Sequence, residues 1–130
     1  MEPKKRKVLV VDDDMEVVDY LKTLLEGKGY NVITSYDGKD AIEKARKEKP
    51  GIILLDFIMP GISGMEVCRI LKTDAQTKQI PVILLSNVGS LDIIKTFLQM
   101  GVEDYIVKPP DPQKLLDKID IALEMKGGII

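Results

Sequence analysis

A doubly wound α/β domain on a five-stranded parallel sheet is the fold class that this 130-residue sequence predicts. Two observations carry the prediction. Four short runs are rich in Val, Ile and Leu: Lys7–Asp12 (KVLVVD), Ile52–Phe57 (IILLDF), Ile80–Ser86 (IPVILLS) and Tyr105–Lys108 (YIVK). Three of them are nearly continuous, as suits strands covered by helices on both faces. Between the runs, apolar residues return at helical spacing, so strand and helix alternate. A fifth run, Asn31–Tyr36 (NVITSY), alternates apolar with polar residues and reads as an edge strand.

The helices follow in order. Val17, Val18, Leu21, Leu24 and Leu25 mark the first, with Asp14 as N-cap and Gly27 and Gly29 as the stop. Ala41, Ile42 and Ala45 mark the second, closed by Pro50 and Gly51. Val67, Cys68 and Leu71 mark a third that starts near Gly64. Ile94, Phe97 and Leu98 mark the fourth, ended by Gly101. Leu115, Leu116, Ile119, Ala122 and Leu123 mark the fifth, with Asp111 as N-cap and Pro112 at the first helical position. The connections are short and no repeat or low-complexity linker intervenes, so residues 1–130 read as one domain.

Composition removes several classes of function. The sequence holds no histidine, which excludes a Ser–His–Asp triad, a two-His metal site and a His general base within the chain. Its single cysteine, Cys68, forms neither an internal disulfide nor a zinc cluster. No apolar run approaches the roughly 20 residues of a membrane span, and no signal peptide is recognisable. The expected setting is a reducing cytoplasm. A formal net charge of −2, from 19 basic and 21 acidic residues, argues against direct nucleic-acid binding.

In an open parallel sheet, ligands bind at the carboxyl ends of the strands. Reading the end of each central run gives Asp12 with Asp13, then Asp56, Ser86 and Lys108. Three carboxylates held together resist ionising unless a cation intervenes, and a hard divalent ion such as Mg²⁺ prefers oxygen ligands. Lys108 adds a second positive group. Cations facing a carboxylate suit phosphoryl chemistry, in which the carboxylate itself can be the nucleophile. Ser86 can donate a hydrogen bond to a phosphoryl oxygen. These residues point to a Mg²⁺-dependent phosphoryl site without choosing between an acceptor and a phosphatase. Asp12–Asp14 also has a plainer role, as acids capping the first helix, and Asp14 keeps it.

The motifs VVDDD (Val10–Asp14), LLDFIMPGISG (Leu54–Gly64), PVILLS (Pro81–Ser86) and YIVKP (Tyr105–Pro109) together resemble the receiver domain of two-component response regulators, the CheY-like fold. The resemblance covers essentially the whole chain. It implies strand order 2-1-3-4-5 and a cis peptide at Lys108–Pro109. It makes Asp56 the phospho-acceptor, Asp13 a direct Mg²⁺ ligand, Asp12 a ligand through water, and the Ile58 backbone carbonyl the third protein ligand. Ser86 becomes the switch hydroxyl, Lys108 the invariant-type lysine of the family, and Tyr105 the aromatic that turns inward on activation. The implied partner is a histidine kinase or phosphotransfer protein. A homodimer through the fourth helix, fifth strand and fifth helix is one expected assembly.

The sequence departs from the family pattern at Asn87, where a small residue is usual, and at Pro110, where an aromatic or aliphatic residue is common. Ile58 and Val88 stand two residues past Asp56 and Ser86, where neither can orient a hydrolytic water, so slow loss of phosphate is expected. Pro3–Lys7 (PKKRK) reads as a solvated lead-in rather than an import signal, and Gly127–Ile130 (GGII) as either a natural end or a cut before a further domain. Two rival readings stand beside the phosphorylation switch. One is a Mg²⁺-dependent phosphatase or phosphotransferase, and the other a receiver-like binding module that is never phosphorylated.

Overall fold

The computed structural model describes residues 6–59, 61–87 and 91–126, with side chains through 124. Val88, Gly127–Ile130 and most of Pro3–Lys7 therefore lie outside the described residues. The elements run β1 (Lys7–Val11), α1 (Met15–Glu26), β2 (Asn31–Ser35), α2 (Gly38–Glu48), β3 (Ile52–Asp56), α3 (Gly64–Thr73), β4 (Val82–Ser86), α4 (Leu91–Gln99), β5 (Asp104–Val107) and α5 (Pro112–Lys126). All pairings are parallel and the strand order is 2-1-3-4-5. Fold class and order agree with the expectation, and Asn31–Ser35 is an edge strand.

The near-continuous apolar runs follow from two cores fed by one sheet. Successive strand residues point to opposite faces, so each central strand supplies both. Val8, Val10, Ile52, Leu54, Ile83 and Leu85 pack with Leu21 and Leu25 of α1 and Leu115 and Ile119 of α5. Leu9, Val11, Ile53, Leu55 and Leu84 face the other way, against Ala41 and Ala45 of α2, Val67 and Leu71 of α3, and Phe97 of α4. β3 and β4 are buried along their whole length.

Local chemistry sets the ends. Asp14 caps α1, its carboxylate accepting the Glu16 N–H at 3.0 Å. Asp111 caps α5 through the Lys114 N–H at 3.0 Å, as expected. Asp37 and Ser63 cap α2 and α3 in the same way, two caps the sequence reading left unnamed. Several boundaries differ from expectation: β1, β2 and β3 each end one residue before their apolar runs do, and β4 begins at Val82 rather than Ile80. Gly27 stays right-handed, and Gly29, with φ of 93°, makes the reversal after α1. Lys49 takes φ of 49° and ends α2 one residue ahead of Pro50, which has no N–H to continue the ladder. β5 lies one residue earlier than its apolar run, so Lys108 stands just beyond the strand. Lys108–Pro109 is a cis peptide, as the family resemblance implied.

Candidate functional site

Parallel pairing brings every strand's carboxyl end to one rim. β1 runs into Asp12 and Asp13, β3 ends on Asp56, β4 ends on Ser86, and Lys108 follows β5. Apolar strand packing carries three of these polar groups inward: Asp12, Asp56 and Ser86 are buried. Asp13 is exposed, at the mouth of the cluster. Carboxylate oxygens of Asp12, Asp13 and Asp56 all lie within 4.8 Å of one another.

Lys108 bridges the two buried acids. Its Nζ lies 2.5 Å from Oδ2 of Asp12 and 3.5 Å from Oδ2 of Asp56. Its backbone N–H donates to the Ser86 carbonyl at 2.8 Å, which fixes the lysine to the end of β4. The other oxygen of Asp12 accepts the Asp14 N–H at 3.0 Å, and Oδ1 of Asp56 accepts the Ile58 N–H at 3.3 Å.

The charges act on one another strongly. Burial, then the neighbouring Asp12 charge, pushes the Asp56 carboxyl up to about 6, against the pull of Lys108 and the Ile58 N–H. Burial disfavours the Lys108 ammonium, but its bond to Asp12 and the charges of Asp56 and Asp12 outweigh that and hold it above the ordinary lysine range. Among the described residues, Asp12 and Asp56 therefore share Lys108, with the Asp13 carboxylate beside them. An all-oxygen donor set with this excess of negative charge fits a hard divalent ion.

Comparison with known proteins gives this arrangement a family. The model of the response regulator receiver domain matches residues 8–120. The chain belongs to the response regulator receiver family. A CheY-like receiver domain protein of Methanospirillum hungatei has a TM-score of 0.89 at 28% identity, covering 95% of this chain and 98% of that one. Chemotaxis protein CheY4 of Vibrio cholerae has a TM-score of 0.86 at 29% identity, covering 92% and 99%. The BeF3-activated N-terminal receiver domain of Klebsiella pneumoniae RstA has a TM-score of 0.84 at 34% identity, covering 91% and 98%.

Within this receiver the remaining candidates fall around the rim. Ser86 pairs in register with Val107, and Leu84 with Tyr105. Ser86 and Tyr105 thus share the sheet face that packs on α2, α3 and α4, where Tyr105 is half-buried. Ile58 has an exposed side chain and a backbone already engaged with Asp56. Asn87 and Pro110 line a cavity of about 430 Å³ with Asp14, Glu16, Val17, Tyr20, Lys108 and Pro109. Asn87 therefore borders the approach to Lys108. Among the described residues no helix is long and apolar enough to cross a membrane.

One residue with a direct hold on the backbone after Asp56 was not singled out from sequence for that role. Gly64 donates its N–H to the Phe57 carbonyl at 3.1 Å, and a Cβ there would come 2.4 Å from that oxygen and 2.9 Å from the Asp56 carbonyl. Phe57 is fixed from the other side by the ring of Phe97, edge-on with centroids 5.1 Å apart. The signal was present, as the glycine that closes LLDFIMPGISG.

Proposed function

We propose that this receiver takes a phosphoryl group onto Asp56 from a phosphohistidine of a partner histidine kinase or phosphotransfer protein, with Mg²⁺ bound at the rim. The observation that supports this best is the convergence of Asp12, Asp13 and Asp56 on one small volume with Lys108 across it. Asp13, Asp56, the Ile58 carbonyl and, through water, Asp12 would hold the ion, whose charge offsets that of the acids and of the phosphoryl oxygens.

The chain's own groups do the rest. Ile58 N–H holds one Asp56 oxygen, leaving the other to attack phosphorus. As the new O–P bond forms, the N–P bond to the donor imidazole breaks and the imidazole leaves with its electron pair. Lys108, already within 3.5 Å of Asp56, transfers its hydrogen bond from Asp12 to a phosphoryl oxygen. Ser86 donates to a second oxygen, and Tyr105, on the same sheet face, moves into the space this opens. The surface of α4, β5 and α5 then changes, shifting a pre-existing equilibrium toward a form that binds its target or a second copy. The setting is the cytoplasm, where the buried Cys68 stays a thiol.

Incubation with Mg²⁺ and a small acyl phosphate, followed by intact mass, tests the reading. One stable, Mg²⁺-dependent phosphoryl addition that is lost in Asp56→Asn is expected. Turnover without an adduct would instead indicate a phosphatase, and no adduct with any donor an unphosphorylated binding module.

A further inference from the structure

Among the described residues the buried polar and charged side chains are Asp12, Ser35, Asp56, Thr77 and Ser86. Three of these form the rim site, and Thr77 bonds the Leu71 carbonyl at 2.7 Å in the connection leading to β4, at the opposite end of the sheet. Ser35 is the remaining one. It is fully buried at the last position of β2, on the same rim as the acids, and pairs in register with Val11.

Ser35 faces both ways. Its carbonyl accepts the backbone N–H of Asp12 at 3.1 Å, the hydrogen bond that continues the β1–β2 ladder into the acidic turn. Its hydroxyl lies 2.7 Å from Oδ2 of Asp40 and 3.1 Å from the Asp37 carbonyl. With a single proton to give, it serves the nearer, charged acceptor. Asp40 in turn holds Lys44 at 3.1 Å, and Lys44 donates to the Thr34 carbonyl at 2.6 Å. The last two residues of β2 are thus gripped by side chains of α2, one through its carbonyl and the other through its hydroxyl.

We infer that Ser35 and Asp40 are positioning residues for the acidic pair: by anchoring the end of β2 they set where Asp12 and Asp13 leave β1 and so how well their carboxylates meet a divalent cation. The inference rests on the Mg²⁺ reading above. A residue that acts one step behind the ligands shapes affinity without touching the ion. Burial raises the Asp40 carboxyl, but the Ser35 hydroxyl and Lys44 outweigh it and keep the acid ionised.

Mg²⁺ titration calorimetry on Ser35→Ala, Asp40→Asn and the double variant tests this, with thermal unfolding of each in chelator. Mg²⁺ binding is expected to weaken about tenfold in each single variant, the range seen for supporting residues of metal sites. The double variant is expected to be little worse, because both act through one link. Ser35→Thr keeps the hydroxyl and should restore affinity. Thr77→Ala removes a comparable buried hydrogen bond far from the rim, so it should lower stability while leaving Mg²⁺ affinity unchanged. Wild-type affinity in both Ser35→Ala and Asp40→Asn, with stability alone reduced, overturns the inference. Absence of Mg²⁺ binding by the wild type overturns the metal reading and this inference with it.

Discussion

The ammonium of Lys108 sits 2.5 Å from Oδ2 of Asp12, closer than its 3.5 Å approach to Oδ2 of Asp56. Both partners of the short contact are nearly buried, at 11% and 2% side-chain exposure, so water screens it little. Removing the cation leaves two buried acids facing each other. Lys108→Met is therefore expected to lower stability in chelator by about 3–5 kcal/mol, the usual cost of breaking a buried pair from one side. Mg²⁺ should recover more stability in this variant than in the wild type, because it supplies the missing charge. Urea unfolding with and without Mg²⁺ measures both effects, and equal Mg²⁺ gains in the two proteins would refute the argument.

Asp56 presents the converse case. Burial and the Asp12 charge raise its carboxyl to about 6, so at neutral pH its ionised form is held at a cost to the fold. Asp56→Asn removes that charge and is expected to stabilise the metal-free protein by roughly 1–3 kcal/mol at pH 7. The same change should abolish the stabilisation that Mg²⁺ gives the wild type. Thermal melts in chelator and in Mg²⁺ provide the check.

Gly64 carries a prediction about placement. A Cβ there would lie 2.4 Å from the Phe57 carbonyl oxygen, 2.8 Å from the Phe57 Cα and 2.9 Å from the Asp56 carbonyl oxygen. All three neighbours are backbone, so the chain at Asp56 and Phe57 must itself move. Gly64→Ala is expected to cost about 1–3 kcal/mol, typical of overpacking, and to slow phosphorylation of Asp56. Gly61 is the contrasting site: its φ is +81°, but among the described residues nothing beyond its chain neighbours lies within 4 Å of an added Cβ. Gly61→Ala should cost about 1–2 kcal/mol of backbone strain and leave the phosphorylation rate near wild type. Unfolding free energies and adduct formation over time distinguish the two.

How much of this was legible in the sequence depends on range. β3 and β4 were plain because both faces are buried, which leaves an uninterrupted apolar run, and the polar residue ending each run marked the rim. Asp56 and Ser86 were found this way. The strand order was implied by family resemblance rather than by periodicity. Contacts made across the sheet were not legible. Lys108 is 96 residues from Asp12, and nothing local in the sequence says that it lies nearer to that acid than to Asp56. The grip of Asp40 on Ser35 was missed because a serine ending an edge strand and an aspartate in a first helical turn each have an ordinary local explanation. The Gly27 and Gly29 boundary was blurred because either residue could adopt the positive φ that only Gly29 carries.

Ile58 is 59% exposed two residues past Asp56, and its side chain has no group to orient a water molecule. If hydrolysis of the acyl phosphate needs such orientation, the adduct should be long-lived. Ile58→Asn combined with Val88→Gln is expected to shorten its half-life severalfold without changing the rate at which it forms. Loss of the mass adduct after removal of the donor measures this, and an unchanged half-life would sink the idea.

Tyr30 allows a test of the fold away from the site. It is buried at 8% exposure, and its hydroxyl donates to Asp120 of α5. Burial, then the bond to Asp120 and that acid's charge, raises the phenol to about 12. An unfolded tyrosine loses its proton near pH 10, so between about 10 and 12 the folded state binds more protons than the unfolded state. Stability from this group is therefore complete below pH 10 and is lost as pH rises toward 12. Tyr30→Phe has no proton to lose. The wild type should lose roughly 2–3 kcal/mol relative to Tyr30→Phe between pH 9.5 and 12, at about 1.4 kcal/mol per pH unit. Urea midpoints of the two proteins across that range measure the difference, and parallel curves would show that the phenol ionises as freely in the fold as outside it.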